Sequence, residues 1–239
     1  MKSRLGVNVD HIATLRNARG EGHPDPISYA RQVMNFGANS ITIHLREDRR
    51  HIRDEDLAMF SKIKRVPINL EMAANNEMLK IALKYKPNFV CIVPEKRNEI
   101  TTEGGLNITK NKKIIKKVIS KLNSKKIRTS LFINPNIKDV SASKELNAKC
   151  VELHTGKFAL KVKNNKNYLV EFKKIKNCAA LAKKLGMEVH AGHGLDYKST
   201  KILRKIKSIE EFNIGHFIIG EAIMFGMKKV ISNFRKILN

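Results

Sequence analysis

The sequence predicts a (β/α)8 barrel, and three observations support that prediction. Eight short apolar runs alternate with helical periods along 239 residues, at about thirty residues per unit, which matches this barrel in number and length. Six of the eight histidines fall at, or just past, the carboxyl end of such a run, where parallel α/β proteins bind ligands. No linker or low-complexity segment interrupts the alternation. We therefore expect residues 1–239 to form a single domain.

A doubly wound open sheet would show the same alternation of strands and helices. Such a sheet usually has a glycine-rich turn directly after its first strand. Here the first strand leads into Asp10-His11-Ile12-Ala13-Thr14, which contains no glycine. The barrel is therefore the favoured reading.

The predicted strands share short runs of apolar and β-branched residues followed by polar or turn residues. They are Leu5–Val9, Ser40–His44, Pro67–Glu71, Asn88–Val93, Arg128–Ile133, Cys150–His154, Glu188–Ala191 and Asn213–Ile219.

The intervening helices carry recognisable ends. Asp25 and Pro26 supply an N-cap and a proline at the first helical position, and Gly37 ends that helix. Asn107 and Asn136 can cap the helices that follow strands four and five. Two further helices are predicted from their apolar faces: Leu169, Phe172, Ile175, Ala179 and Ala182 in one that ends at Gly186, and Ile223, Met227, Val230, Ile231, Phe234 and Leu238 in the last.

The formal charge of +25 raises the question of nucleic-acid binding. The lysines of the segment 112–122 interleave with apolar residues at the spacing of an amphipathic helix, which indicates a solvated helix face. There is no Trp, and no basic residues interleave with aromatic ones as in proteins that stack bases. We expect no nucleic-acid partner, although the charge would attract anionic metabolites.

The remaining composition indicates a reduced, cytoplasmic protein with no membrane partner. No apolar stretch approaches the roughly 18 residues needed to span a bilayer, and no apolar signal core follows the amino terminus. Cys91, Cys150 and Cys178 are widely spaced and show no metal-binding spacing, so we expect neither a disulfide nor a zinc site.

Barrel closure would bring the polar residues at the strand ends to one mouth. Glu71 and Glu152 have apolar neighbours, so burial and a functional role are more plausible than surface ion pairs. With the imidazoles they provide proton donors and acceptors that can be tuned toward neutral pH. The residues expected at the mouth are Asn8, Asp10, His11, His44, Arg46, Glu71, Thr101, Glu152, His154, His193 and His216.

Two anion sites are predicted at this mouth. Gly192-His193-Gly194 follows strand seven, and Gly215-His216 lies in strand eight. Barrels often bind phosphate at these two strands, and a helix beginning near Gly220 could add the positive end of its dipole. Arginines after strands one and two could form the second site, although some of them will pair with nearby carboxylates. No histidine pair has helical metal-binding spacing, so we expect neither a metal nor a cofactor. These second-site candidates are Arg16, Arg19, Arg46, Arg49, Arg50 and His51.

Eight blocks of sequence, in order from residue 8 to residue 216, make the chain similar to the pyridoxine 5′-phosphate synthase family. They are NVDHIATLRNARG at 8–20, HLREDRRHI at 44–52, NLEMA at 69–73, VPEKR at 93–97, TTEGGL at 101–106, ELHTG at 152–156, AGHGL at 191–195 and NIGH at 213–216.

The resemblance implies a barrel enzyme with extra helices, a transferase of vitamin B6 biosynthesis that assembles as a homo-oligomer, specifically an octamer. Its expected reaction joins 3-amino-2-oxopropyl phosphate to 1-deoxy-D-xylulose 5-phosphate and gives pyridoxine 5′-phosphate, phosphate and water. Two phosphorylated substrates agree with two anion sites. The alternatives are another phosphate-binding barrel enzyme, such as an isomerase, which needs only the site after strands seven and eight, and a basic RNA-binding protein with a decayed active site.

The resemblance also assigns roles by motif position. His44 and Glu71 would act as general bases, His193 as a general acid, and Glu152 would stabilise a charged transition state. The aminoketone phosphate would be held by Asn8, Arg19, Gly194, Gly215 and His216, and the deoxyxylulose phosphate by Asp10, His11, Arg46, His51 and Thr101.

Overall fold

Eight parallel strands close into a barrel in sequence order in the computed structural model, which describes residues 2–95 and 104–239. Each strand pairs with its sequence neighbours, and the eighth pairs back onto the first, Gly6 lying opposite Asn213. The predicted fold class is therefore confirmed. The strands are β1 (Arg4–Asn8), β2 (Ser40–His44), β3 (Ile68–Met72), β4 (Phe89–Ile92), β5 (Arg128–Ile133), β6 (Cys150–His154), β7 (Glu188–Gly192) and β8 (Glu211–Ile214).

Helices surround this barrel, and among the described residues two connections and the segment after the last strand carry two helices where a minimal barrel has one. These follow β1, β6 and β8, so the expected extra helices are present. Within the described residues, no helix combines the length and apolarity that crossing a membrane requires. The helices are α1 (Asp10–Arg19), α2 (Pro26–Asn35), α3 (Asp54–Phe60), α4 (Asn76–Tyr85), α5 (Ile108–Ser124), α6 (Ile137–Glu145), α7 (Gly156–Lys163), α8 (Leu169–Lys184), α9 (Tyr197–Leu203), α10 (His216–Phe225) and α11 (Met227–Leu238).

The main apolar core lies between the strands and the helices, whereas the barrel interior is largely polar. Val151 and Leu153 of β6 belong to the main core, and Glu152 between them points the other way, because alternate strand residues face opposite sides. Asn213 of β8 donates from Nδ2 to Glu152 Oε2 at 2.7 Å. Strands β6 and β8 are not neighbours, so this hydrogen bond crosses the interior of the barrel.

The amino-terminal ends of the strands are joined by charge pairs, well away from the mouth. Arg4 Nε lies 2.6 Å from Glu211 Oε2, and both Arg4 and Arg128 pair with Glu188. His190 Nε2 also lies 3.0 Å from Glu188 Oε1. Arg4, Arg128, Glu188 and Glu211 each begin a strand, so this cluster fixes the starts of β1, β5, β7 and β8 relative to one another.

The predicted helix starts are confirmed. The Asp25 carboxylate accepts the backbone N–H groups of Ile27 and Ser28, and Pro26 is the first residue of α2. Asn107 and Asn136 cap α5 and α6 by accepting the backbone N–H groups of Lys110 and Lys138. These side chains satisfy donors that a helix start otherwise leaves without partners.

The prediction of a strand through Ile219 is wrong, because β8 ends at Ile214 and His216 is the first residue of α10. The run Phe217-Ile218-Ile219 has strand-like composition, but Gly215 turns the backbone with φ −123° and ψ −83° before it. The expected start of this helix near Gly220 is corrected by the same finding. The composition of Phe217-Ile218-Ile219 favours a strand, but the pairing of β8 with β1 ends at Ile214 and does not reach these residues.

Two predicted apolar faces are also corrected. The last predicted helix is two helices, broken at Gly226 with φ 77°, so Ile223 is 77% exposed and lies outside the core formed by Val230 and Phe234. In α8, Leu169 is 62% exposed, whereas Ile175 is buried as expected. Helical periodicity predicts which residues share a face. It does not show where a helix breaks or how much of that face the rest of the protein buries.

Replacing Asp25 with Ala should lower the free energy of unfolding by about 1 kcal/mol, because two N–H groups at the start of α2 lose their acceptor. The measurement is a denaturant titration of wild type and variant. Asp25→Asn is the matched control, since it keeps the accepting oxygen and should lose much less. Equal losses in the two variants would show that the cap does not stabilise the helix.

Candidate active site

The candidate site lies at the carboxyl ends of the strands, where most of the predicted side chains meet. Asn8, His44 and His154 are the last residues of β1, β2 and β6, and His193 follows β7 directly. Glu71 is the fourth of five residues in β3. Glu152 is the third of five in β6, so it lies one layer below the mouth and not at the strand end where the sequence predicted it.

Asp10 is the centre of the contacts on the β1 side of the mouth. Its Oδ1 accepts the backbone N–H of His44 at 2.8 Å, and its Oδ2 accepts the side-chain amide of Asn8 at 2.8 Å. His51 Nδ1 lies 3.9 Å from Asp10 Oδ1 and accepts the backbone N–H of Ile52. Burial lowers the pKa of His51, which favours its neutral form. Asp10 thus ties β1 to β2 through its hydrogen bonds with Asn8 and the His44 backbone.

His44 lies between two carboxylates. Its Nδ1 is 3.8 Å from Glu71 Oε2, and its Nε2 is 3.7 Å from Glu95 Oε2. Glu95 Oε1 is also 3.7 Å from Arg46 Nε and accepts the backbone N–H of Glu47. The side chains of His44, Arg46 and Glu95 are at most 5% exposed, so these contacts are shielded from water.

The two predicted carboxylates interact within the barrel. Burial raises the pKa of Glu152 to about 7, although His190 and the hydrogen bond from Asn213 oppose the rise. Burial, with the charges of Glu152 and Asp10, raises the pKa of Glu71 well above its usual range. The negative charge of Glu152 thus disfavours ionisation of Glu71, which favours the protonated form of Glu71. The predicted neutral form of Glu71 has this physical basis.

Four imidazoles line the rest of the mouth in two pairs. The rings of His11 and His216 lie 5.1 Å apart, and those of His154 and His193 lie 4.9 Å apart, with Phe132 against the second pair. Burial, with the charges of His193 and Lys157, lowers the pKa of His154 to about 4. Burial also lowers the pKa of His11 and of His193. These three imidazoles are therefore neutral at pH 7.

The turn after β7 has an unusual backbone. His193 has φ 80° and Gly194 has φ 76°, so a residue other than glycine occupies the left-handed region here. Thr155 Oγ1 lies 2.7 Å from the carbonyl oxygens of both Gly192 and His193 and donates to this turn. A Cβ at Gly192 would lie 2.1 Å from Glu152 Oε1, which explains why a glycine precedes the histidine.

The start of α10 faces the same mouth from β8. Gly215 is the residue before the helix, and a Cβ there would lie 2.9 Å from the Cβ of Asn8. His216 begins the helix beside His11. A helix N-terminus presents free N–H groups and a positive dipole end, which is the chemistry of the predicted phosphate site.

Several of the predicted arginines are not at the mouth. Arg16 lies in α1, is 8% exposed and pairs with Asp56 of α3, with Nη2 to Oδ2 at 2.8 Å, so its role is structural. Arg19 is at the end of α1, with its side chain 76% exposed and paired with Glu21. Arg49 and Arg50 pair with surface carboxylates, Arg49 with Asp54 and Glu77 and Arg50 with Asp48.

Among the other predicted binding residues, Thr101 lies outside the described residues.

One group of described residues has the composition of a metal site. Ligand atoms of Asp10, His44 and His51 lie within 4.8 Å of one another. Two of the possible ligand atoms already accept hydrogen bonds within the protein: Asp10 Oδ1 from the His44 backbone N–H, and His51 Nδ1 from the Ile52 backbone N–H. The expectation that the site works without a metal stays a prediction.

Three residues at the site were not predicted from the sequence: Glu95, Thr155 and Asn213. Glu95 follows β4 within three residues, so the criterion of polar residues at strand ends could have found it. Thr155 likewise follows β6 directly. Asn213 lies within a strand, and only the contact with Glu152 across the barrel identifies it.

Comparison with known proteins gives a match over almost the whole chain. The model of the family described as pyridoxal phosphate biosynthesis protein PdxJ matches residues 5–239. A pyridoxine 5′-phosphate synthase of Pelagibacter ubique is 62% identical over 236 residues, 99% of this chain and 99% of that one. One from Zymomonas mobilis is 50% identical over 236 residues, covering 99% of this chain and 91% of the relative.

Solved structures of lower identity share the fold. A 3-keto-L-gulonate-6-phosphate decarboxylase from Vibrio cholerae superposes with a TM-score of 0.69 at 11% identity, covering 100% of this chain and 98% of that one. An N-(5′-phosphoribosyl)anthranilate isomerase from Pyrococcus furiosus gives a TM-score of 0.62 at 10% identity, with 99% and 97% covered. At these identities the likeness shows the barrel alone.

The free energy of unfolding of Glu152→Gln should rise relative to that of the wild type as the pH rises. The pKa of Glu152 is raised from an ordinary 4.5 to about 7 in the folded state, so its contribution to stability is full below about pH 4.5 and is lost as the pH rises through 7. The amide does not titrate. The difference in unfolding free energy, variant minus wild type, should therefore increase from pH 5 to pH 8, by on the order of 1–3 kcal/mol.

Chemical denaturation of both proteins across this range measures that difference. Glu145→Gln is the control, since the side chain of Glu145 is 63% exposed and should give a difference that barely depends on pH. A difference for Glu152→Gln that falls or stays flat with rising pH would contradict a raised pKa.

Proposed function

The chain belongs to the PdxJ family of pyridoxal phosphate biosynthesis proteins, and on that premise we propose the reaction that it catalyses. It condenses 3-amino-2-oxopropyl phosphate with 1-deoxy-D-xylulose 5-phosphate and releases pyridoxine 5′-phosphate, phosphate and water. The enzyme makes pyridoxine 5′-phosphate in vitamin B6 biosynthesis, as its curated relatives do by name. The choice of these two substrates and the roles of the residues are the proposal.

One observation carries the proposal: His44 and Glu71, the two residues assigned as general bases, lie 3.8 Å apart at the mouth of the barrel. The reaction requires the amine to add to a ketone, an imine to form, phosphate to leave and a carbon–carbon bond to close the ring. Each of these steps moves a proton, and a positioned acid or base contributes about 10²–10⁴-fold to such a step. Two adjacent bases on neighbouring strands fit this requirement.

The anion sites support two phosphorylated substrates. On one side, the start of α10 with Gly215 and His216, and the turn at Gly194, offer N–H groups for the phosphate of the aminoketone, and Asn8 adjoins them. The exposed Arg19 would have to move to reach it. On the other side, Arg46 lies beside β2 with Asp10, His11 and His51 near it. Arginine binds phosphate through two parallel hydrogen bonds, so Arg46 suits the deoxyxylulose phosphate. Thr101 would complete that site.

The charge of Glu152 links the roles of the two carboxylates. Glu71 is the stronger base while Glu152 is ionised, since the charge of Glu152 is among the causes of the raised pKa of Glu71. Glu152 lies deeper and accepts an amide hydrogen bond from Asn213, which keeps its carboxylate aimed into the barrel. A buried anion in that position stabilises positive charge that develops on an imine nitrogen.

His193 must gain a proton to act as a general acid. Burial lowers its pKa in the free protein. A phosphate dianion bound against the Gly192–Gly194 turn would reverse this effect, because a nearby negative charge favours imidazolium. Binding of the first substrate would thus charge the acid that the reaction needs.

Several expectations remain part of the proposal. We take residues 1–239 as one catalytic domain, the assembly as a homo-oligomer, and the location as cytoplasmic, with no nucleic-acid partner and no metal. A phosphate-binding isomerase is the alternative within the same fold, and it would need only the anion site beside α10.

An assay of purified, chelator-treated protein with both substrates tests the function. We expect pyridoxine 5′-phosphate and free phosphate to appear in equal amounts, without added metal. Product that forms only after a divalent metal is returned would keep the reaction and overturn the metal-free site. No product under either condition, with the protein folded, would contradict the proposed reaction.

Glu71→Gln should lower kcat by about 10²-fold or more while the fold is kept, because the amide cannot accept the proton. Rates and circular dichroism of the purified variant measure both effects. Glu77→Gln is the control: it is the same chemical change in a side chain that is 61% exposed, and it should leave kcat unchanged. Turnover like that of the wild type in Glu71→Gln would remove Glu71 from the mechanism.

A further inference from the structure

Glu95 is a buried carboxylate at the mouth to which neither the sequence motifs nor the proposed mechanism gives a role. Its side chain is 3% exposed, although it follows β4 in a loop. Its Oε1 accepts the backbone N–H of Glu47 at 2.7 Å. That hydrogen bond anchors one carboxylate oxygen to the segment after β2 and leaves the other oxygen, Oε2, for a second partner.

The atom that faces Glu95 Oε2 is Nε2 of His44, at 3.7 Å. Both atoms are buried, and neither has a hydrogen-bond partner among the described residues. Buried polar atoms almost always find partners, and catalytic hydrogen bonds are often long until substrate binds. A displacement of less than about 1 Å would bring this pair to hydrogen-bond distance.

The charge of Glu95 decides which atom carries the proton. Although burial opposes ionisation, the contact with His44, the N–H of Glu47 and the charge of Arg46 lower the pKa of Glu95. An ionised carboxylate only accepts hydrogen bonds, so Nε2 of His44 must be the donor. In a neutral imidazole the other nitrogen then carries the lone pair. That nitrogen is Nδ1, which lies 3.8 Å from Glu71 Oε2.

We propose that Glu95 is the positioning residue of His44: it holds the imidazole as the Nε2–H tautomer and thereby presents the basic Nδ1 atom on the side of Glu71. Glu95 does not contact the reacting atoms and acts through His44. The inference rests on the proposed function in one respect only, that His44 works as a base. The tautomer itself can be measured without any substrate.

A purely structural role is the alternative, since Glu95 also lies 3.7 Å from Arg46 and binds the Glu47 backbone. The substitution Glu95→Gln separates the two roles. Its single acceptor oxygen can keep the hydrogen bond from Glu47, and its NH2 group then faces His44. The amide would donate to Nε2 and force the proton onto Nδ1, which abolishes the base without removing the side chain.

We expect Glu95→Gln to lower kcat by about 10²-fold, with KM for both substrates changed by less than about threefold. In a His44→Gln background the same substitution should change kcat by less than about threefold, because the residue that it orients is already gone. Glu188→Gln is the matched control for loss of an ion-paired carboxylate at the opposite end of the barrel. It should lower the melting temperature without a selective fall in kcat.

Nitrogen-15 spectra of the histidine side chains give the second readout. With His44 assigned from its missing signals in His44→Gln, the wild type should show protonated Nε2 and bare Nδ1, and Glu95→Gln should show the reverse. If Glu95→Gln does not fold, Glu95→Asp takes its place in the kinetic assay. It keeps an ionised acceptor but places it one methylene further from Nε2. The imidazole should therefore retain the wild-type tautomer but be held less firmly in orientation, so kcat should fall.

Three results would overturn the inference: wild-type kcat in Glu95→Gln, an equal loss of kcat in the His44→Gln background, or protonated Nδ1 in the wild type. If the wild-type enzyme makes no product, the proposed reaction fails, and the spectra of the wild type and Glu95→Gln alone decide the role of Glu95.

Discussion

Closure of the barrel between β8 and β1 is the constraint on which the site depends. Gly6 pairs with Asn213 in that ladder, and a Cβ on Gly6 would lie 2.0 Å from the Asn213 side-chain oxygen. A larger residue at Gly6 would therefore displace the amide that binds Glu152. Because all eight strands run the same way round one ring, closing it also places residues from distant parts of the chain at a single mouth. The ladder between β8 and β1 therefore also determines the positions of the side chains at the candidate site.

The interior of the barrel is arranged around buried negative charge. An unpaired carboxylate in such a place is costly. Burial raises the pKa of both Glu71 and Glu152, which favours their neutral forms, and the Asn213 amide donates a hydrogen bond to Glu152. Glu95 differs from them: the N–H of Glu47, the contact with His44 and the charge of Arg46 lower its pKa. Carboxylates within one mouth therefore hold different protonation states, and the difference follows from the donors around each of them.

Much of the fold, and the location of the candidate site within it, could be predicted from the sequence. The alternation of apolar runs and helix ends gave the barrel, and histidines at strand ends located the mouth, because both depend on local periodicity and on chain direction. The failures have a common cause, which is that contacts between distant elements decided them. Phe217-Ile218-Ile219 has the composition of a strand but lies in α10, Arg16 is held by Asp56, and Asn213 gains its role only from a partner on β6. The motifs also left Glu95 without a role, because its partner is a ring nitrogen on another strand.

The left-handed backbone of His193 has a consequence for how this chain can change over generations. Glycine or asparagine would occupy φ 80° more comfortably, by about 1 kcal/mol, so selection for stability alone would replace this histidine. If His193 is the general acid of the proposed reaction, selection for an imidazole at that point acts in the opposite direction. In a lineage that no longer needed the proposed reaction, drift toward a more stable protein would favour glycine or asparagine at this turn, and the residue found there would distinguish a working gene from a relic.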